Sequence, residues 1–184
     1  NDSFNYAETR SVRSGLPLPI AGRRQLVLVD LDDTIMRGPS GSITRDSNPA
    51  DFKPIQKNID RIKELRSQGI DIEFVTARPN SLEEVTKETL KLFGLDDIPV
   101  TFNDMQRSRQ KGGKEGLSNM VPMPRALYKV EVARNRIEQG YDVSLLDDDE
   151  KNRMMMQQSG IYSFFNKGGQ IPGMQYFATP KLQR

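Results

Sequence analysis

The stretch QLVLVDLDDTIM, residues 25–36, decides how this chain is read. Leu26, Val27, Leu28 and Val29 form an unbroken apolar run that leads straight into Asp30, Asp32, Asp33 and Thr34. A strand with one wet face alternates apolar and polar residues; this run does not, and so suits a parallel strand covered on both faces. In an open α/β sheet, ligands bind outside the C-terminal ends of the strands, which is where these acids fall. Carboxylates this close repel one another, and a divalent cation with oxygen ligands commonly relieves such clusters. Magnesium is the expected ion. The plainer alternative is a strand that ends in a solvated acidic turn.

Two distant runs end in a comparable way. Ser144, Leu145 and Leu146 lead into Asp147, Asp148 and Asp149, followed by Glu150, Lys151 and Asn152, and residues 70–75 lead into Thr76, Ala77 and Arg78. If these are parallel neighbours, their ends converge. Acids then meet a hydroxyl and a guanidinium of the kind that suits phosphate.

On these residues the chain resembles the haloacid dehalogenase-like (HAD) phosphatase superfamily. DLDDT at 30–34 matches the first motif of that family, DxDx[TV]; FVT at 74–76 matches the second, an apolar strand ending in Thr or Ser; LLDDDEKN at 145–152 matches the fourth, an acid pair with an acid or amide four residues on. The likeness runs from Leu26 to about Phe165. It implies a three-layer, doubly wound (Rossmann-like) parallel α/β sheet over 25–166, with 1–24 as a flexible lead-in and 167–184 as a tail. It also implies Asp30 as nucleophile and Asp32 as general acid and base. Magnesium would be held by Asp30, the backbone carbonyl of Asp32, and Asp148, with Asp147 and Asn152 in support. Asn152 stands where many members have Asp, and Asp147 where many have Gly. The third motif is a lysine shortly before the last acid-bearing strand; Lys129 takes that place, with Lys114 as the other candidate. Thr76 would meet the phosphoryl oxygens.

Composition narrows the chemistry. At 184 residues, one well-buried domain is expected. The chain has no Cys and no His. Without Cys there is no disulfide framework, no thiolate nucleophile and no Cys-based zinc site; without His there is no Ser-His-Asp triad and no imidazole base. Carboxylates must do the acid and base work. The net charge of +2 lacks the strong cationic bias of an obligate nucleic-acid binder. No apolar run is long enough to span a membrane and no N-terminal signal region is visible.

Along the chain, residues 35–54 are rich in Gly, Pro, Ser and Asn and read as a loop or small hairpin flap. Ile55, Ile59, Ile62 and Leu65 recur at helical spacing up to Gly69. Strand 70–75 follows, then a helix over 82–93 capped from Pro79-Asn80-Ser81, with Glu83 and Glu84 suiting its positive end. Residues 98–102 read as a short strand. Residues 103–124 read as an irregular loop whose Arg107, Arg109, Lys111 and Lys114 are either a solvated basic face or an anion-attracting rim. A helix over 126–139 precedes the acid-bearing strand, and 161–165 is a last strand. RQKGGKEG lacks the spacing of a P-loop, so a nucleoside triphosphate site is not expected.

The expected activity is therefore magnesium-dependent phosphomonoester hydrolysis through an aspartyl-phosphate. Neither 35–54 nor 103–124 is long enough for a cap domain with its own core. An uncapped site resembles those of relatives acting on macromolecules. A phosphorylated protein is the expected partner, with phosphotyrosine favoured as in bacterial effector phosphatases; nucleic-acid ends are the alternative, and an inactive phosphate-recognition module is the rival from outside enzymology. The expected location is the cytoplasm, or a host cell if the protein is a delivered effector.

Overall fold

The computed structural model describes residues 12–13, 16–17, 20–104, 106–108, 120–122 and 124–165. Its centre is a parallel sheet built from β1 (Arg24–Val29), β2 (Asp71–Val75), β3 (Val100–Thr101), β4 (Tyr141–Leu146) and β5 (Tyr162–Phe164), in the spatial order β5-β4-β1-β2-β3. Residue by residue, β1 pairs with β4 from Arg24↔Tyr141 to Val29↔Leu146, and with β2 from Leu26↔Asp71 to Val29↔Phe74. The chain first winds one way, from β1 through β2 to β3, and then returns to lay β4 on the other side of β1. That reversal between β1 and β4 is the topological switch point, where such sheets place their ligands.

Four helices cover the sheet: α1 (Gln56–Ser67), α2 (Glu83–Leu92), α3 (Arg125–Glu138) and α4 (Glu150–Gln158). Val27 and Val29 point to the layer holding Ile59, Ile62 and Leu65 of α1 and Val85 and Leu90 of α2. Leu26 and Leu28 point the other way, to Tyr128, Val130, Ala133 and Ile137 of α3 and Met156 of α4. The apolar run is unbroken because both faces are covered, and the architecture is the three-layer, doubly wound α/β sheet expected of a HAD-like fold.

The details differ from the sequence reading in several places. Helix α4, which carries Asn152, is absent from it: EKNRMMMQQ buries only Asn152, Met156 and Gln157, a stripe too thin to show as periodicity. The strand expected over 98–102 shortens to β3, although Ile98 and Phe102 are both buried. Asn80 and Ser81 do not cap α2; they form a short 3₁₀ turn, Asn80–Leu82, ahead of it. Within 35–54, Met36–Arg37 pairs antiparallel with Lys53–Pro54, so the segment is a small two-stranded flap. Glu73 sits between Ile72 and Phe74 inside β2 and is buried because Arg136 and Thr101 both donate to it, at 2.7 to 2.9 Å.

Within the stretch expected to be a lead-in, Leu16 is buried to 1% exposure in the layer of α1 and α2. The backbone around it is tied down as well: Gln25 Nε2 donates to Pro17 O at 2.7 Å and Ile20 N to Asp142 Oδ2 at 3.1 Å. Leu16→Ala should therefore lower stability by about 2–4 kcal/mol, as loss of a core leucine does. Urea denaturation followed by circular dichroism measures this; a change below about 0.5 kcal/mol, the size typical of a surface substitution, would show that the segment does not pack.

Candidate active site

The switch point fixes the first two acids. Asp30 N donates to Leu146 O at 2.9 Å, which carries the β1–β4 ladder one residue past the strands and sets Asp30 beside Asp147. Helix α3 crosses beneath and delivers Lys129, 1% exposed, whose Nζ donates to Asp30 Oδ1 at 2.6 Å and to Asp147 Oδ2 at 2.7 Å. Burial pushes the Asp30 carboxyl well above its usual range; Lys129 pulls it back, while Asp147 and Asp148 push it further up. Burial works against the Lys129 ammonium too, but Asp30 and Asp147 outweigh it and hold the lysine above its ordinary value.

Thr34 links the other acid. Its Oγ1 lies 3.0 Å from both Asp30 Oδ2 and Asp148 Oδ1, and accepts from Asp148 N at 3.1 Å. Thr34 reaches this position because the chain turns sharply: Asp33 adopts φ +62°, and the N–H groups of Thr34, Ile35 and Met36 all converge on Leu31 O. Aspartate is among the few non-glycine residues that accept the left-handed region at modest cost. On the facing loop, Asp149 caps α4 by accepting from Asn152 N at 3.1 Å. Asn152 Nδ2 donates to Asp147 Oδ2 and Asp149 N to Asp147 Oδ1. Arg153 holds the same turn from behind, its Nη1 donating to the carbonyls of Asp147 and Asp148 at 2.8 and 2.7 Å.

Asp32 is held separately. Arg78 grips its carboxylate with two parallel bonds, Nε to Oδ2 at 3.0 Å and Nη2 to Oδ1 at 2.6 Å. Arg78 is itself 5% exposed, donates through Nη1 to Thr86 Oγ1, and lies 5.2 Å over the Phe52 ring. Gly38 backs that ring so closely that a Cβ there would stand 2.9 Å from it. The guanidinium read from sequence as a phosphate group is thus committed to the proposed general acid. Thr76 is buried under it, its Oγ1 accepting from Arg78 N at 3.1 Å.

Asp30, Asp32, Lys129 and Asp148 all line one cleft of about 490 Å³, with Asp147 and Asn152. Thr76 does not line it. Lys114 and the basic residues of 103–124 lie outside the described side chains. Sequence reasoning gave no role to Thr34 or Arg153 and missed the Arg78–Asp32 pair. Thr34 stands in the quoted motif and could have been found there; the Arg78–Asp32 contact is tertiary and the Arg153 contacts go to backbone carbonyls, and neither kind leaves a periodic trace.

The donor set fits a hard divalent cation. Oxygens of Asp30, Asp147 and Asp148 lie within 4.8 Å of one another, and the nearest positive charge is the single ammonium of Lys129. Both Asp147 oxygens are already taken by donors. Asp30 takes one donor from Lys129 and shares the single Thr34 hydroxyl proton with Asp148, so these two keep more lone-pair capacity than Asp147 with its three donors, and burial holds the Asp148 carboxyl above its ordinary value, as expected of an acid short of counter-charge.

No protein-family model and no curated protein matches the sequence. Solved structures with the same fold include a chain of the Pnkp1/Rnl/Hen1 RNA repair complex, 19% identical with TM-score 0.61, covering 81% of this chain and 44% of that one. A second structure of the Pnkp1/Rnl/Hen1 complex gives 18% identity and TM-score 0.58 over 84% and 50% of the two chains. D,D-heptose 1.7-bisphosphate phosphatase from B. bronchiseptica, complexed with magnesium and phosphate, is 13% identical with TM-score 0.50, over 86% and 98%. The chain spans half or less of the repair-complex chains it matches. At these identities the likeness is one of fold. Among the described residues, no helix is long and apolar enough to cross a membrane.

Lys129→Met tests the electrostatics. Removing the ammonium leaves buried carboxylates facing one another, at a cost of about 3–5 kcal/mol near neutral pH. Asp30 is an acid whose folded value lies above its ordinary 3.8, so the folded chain takes up protons more readily than the unfolded one. Stability lost at neutral pH should therefore return as pH falls through that raised folded value towards 3.8. Chemical denaturation across that range checks it; a deficit independent of pH would mean that Lys129 matters for packing alone.

Proposed function

We propose that this chain is a magnesium-dependent phosphomonoesterase that works through an aspartyl-phosphate on Asp30. The observation that carries this reading is the setting of Asp30 at the switch point. It is a buried carboxylate with Lys129 on one oxygen and Thr34 on the other, facing Asp148 across a cleft. Asp30, Asp148 and the Asp32 carbonyl would hold the ion. Bound magnesium supplies positive charge that offsets the phosphoryl oxygens as a carboxylate approaches them.

The side chains then divide the work. A carboxylate oxygen of Asp30 forms a bond to phosphorus as the bond from phosphorus to the ester oxygen breaks. Lys129 favours the ionised form of Asp30 and aims it, and Asp147 keeps Lys129 in place. Asp32 gives its proton to the departing alkoxide. In the second step Asp32, now a carboxylate, takes a proton from water as the water oxygen attacks phosphorus, which releases phosphate and restores Asp30. Arg78 occupies both Asp32 oxygens in the resting chain, so the first step requires that grip to loosen. Incoming phosphoryl oxygens compete for the same guanidinium and give it a reason to do so.

For the substrate we favour the phosphorylated end of a polynucleotide over a phosphoprotein. The flap, within residues 35–54, is too short to form a cap with its own core, which suits a large partner that can itself exclude water. Among the described residues lining the cleft there is no aromatic ring to hold a phosphotyrosine, and the apolar ones are Pro39, Ile43 and Ala77. A chain of similar fold stands in an RNA repair complex, in keeping with this choice.

Asp30→Asn should abolish phosphate release from p-nitrophenyl phosphate while leaving the melting temperature within a few degrees. Asp32→Asn should lose about 10²–10⁴-fold, and less for p-nitrophenolate than for poorer leaving groups. Asp148→Ala should raise the magnesium midpoint about tenfold or more, since a hard cation loses both charge and geometry. Undiminished turnover by Asp30→Asn, or full activity in excess chelator, would defeat the reading.

A further inference from the structure

Three cations line the cleft among its described residues: Arg78, Lys129 and Arg125. Two are committed to the protein. Arg78 is bound to Asp32 and Thr86, Lys129 to Asp30 and Asp147, and both are buried. Arg125 differs in every respect: it is exposed and makes no ion pair or hydrogen bond within the described structure. A second cleft, at the opposite ends of the strands, shows what structural arginines look like in this fold. There Arg24, Arg66 and Arg136 are paired with Asp71, Asp97 and Glu73 respectively. Arg125 is the one cation on either cleft wall with no protein partner to give up before it meets a ligand, among the described residues.

Its place on α3 says which part of a ligand it meets. Arg125 precedes Lys129 by four residues, so the two share a helix face about 5–6 Å apart at their Cβ atoms. Helical side chains lean towards the N-terminus, so Arg125 projects away from Lys129, outward past the start of α3. If phosphorus sits at Asp30, in-line attack expels the ester oxygen away from that carboxylate, towards the mouth. Arg125 therefore stands beside the alcohol portion of the substrate and away from the phosphoryl group. Asp33 and Asp149, which line the same cleft, are acidic, so among the described residues an anion settling at its mouth has one exposed cation to choose.

We infer that Arg125 forms an anion subsite at the mouth of the cleft, which holds the phosphodiester next to the phosphomonoester being cleaved. In a polynucleotide end those two phosphates are carried on one sugar, whereas the alcohol of a phosphotyrosine bears no fixed charge near the ring. The inference rests on the phosphatase reading above. A guanidinium meets a phosphodiester with two parallel hydrogen bonds, a geometry that lysine does not reproduce.

The test compares specificity constants for dinucleotides that bear a terminal 3′- or 5′-phosphate and differ only in the internal link, charged phosphodiester or neutral methylphosphonate. The wild-type chain should favour the charged link about fivefold or more, and Arg125→Gln should reduce that ratio to below about twofold, the range from a good charge-assisted contact down to none. Arg125→Lys should fall between them. Melting curves establish that the variants are folded. Phosphate release with a ratio that is the same in wild type and Arg125→Gln would overturn the subsite and leave the phosphatase reading standing. A phosphotyrosine peptide preferred over every dinucleotide would overturn the polynucleotide. No release from any of these substrates, nor from p-nitrophenyl phosphate, would overturn both readings.

Discussion

The Lys129 ammonium, 2.6 Å from Asp30 and 2.7 Å from Asp147, is the contact on which the arrangement of the site depends. It joins three elements at once: the end of β1, the end of β4 and the helix between β3 and β4. Placing a charge in that interior is costly, and only paired, hydrogen-bonded partners make it tolerable. The switch-point topology provides the partners. Because β4 lies directly against β1, the acids that follow Val29 and Leu146 emerge side by side. Shift either register by one residue and the carboxylates leave the pocket for the opposite face. The electrostatics of the site and the pairing of the sheet are therefore one constraint.

A second, shallower assembly is built on the flap side. Gly38 lets the backbone lie against Phe52, Phe52 lies under Arg78, and Arg78 holds Asp32. This chain of contacts crosses from the flap to the end of β2. In the proposed mechanism Asp32 is the carboxylate that passes the proton, while the deeper group fixes the carboxylate that attacks phosphorus. The two aspartates are separated by a single residue in sequence yet sit in different surroundings: Asp30 is buried among other acids, and the Asp32 side chain is 43% exposed beside an arginine. Different environments are how two carboxylates in one motif come to do different work.

Much of this was legible in the sequence, for a physical reason. A strand buried on both faces has to be apolar throughout, so 26–29 announces its own burial, and acids placed just after such a strand have few other uses. Helices α1 and α3 likewise show their buried stripes. What stayed hidden was of two kinds. Helix α4 has only a narrow buried face, with Met154 and Met155 exposed and Met156 inside, so period alone does not reveal it. Glu73, Arg78 and Arg153 are charged residues whose roles come from partners far away in sequence, or from backbone carbonyls, and neither leaves a pattern. Leu16 was concealed by its polar, proline-bearing surroundings, although a single leucine suffices to anchor a segment if the core has a place for it.

The charges of the cleft carry the argument one step further. Six of its lining residues are acidic, Asp30, Asp32, Asp33, Asp147, Asp148 and Asp149, against three cations. On the proposed function, such a surface would repel a phosphate ester until a divalent ion is bound, so occupancy by the metal and affinity for substrate would be linked, each strengthening the other. That linkage does not depend on which alcohol carries the phosphate. On the same proposal the alcohol is met farther out, where Arg125 is the exposed cation among the described lining residues. The division between buried cations that organise the chemistry and an exposed one that meets the substrate follows from solvent access. A guanidinium already desolvated and paired must give up a partner to take a ligand, whereas a hydrated one at the rim can exchange water for a phosphate at small cost.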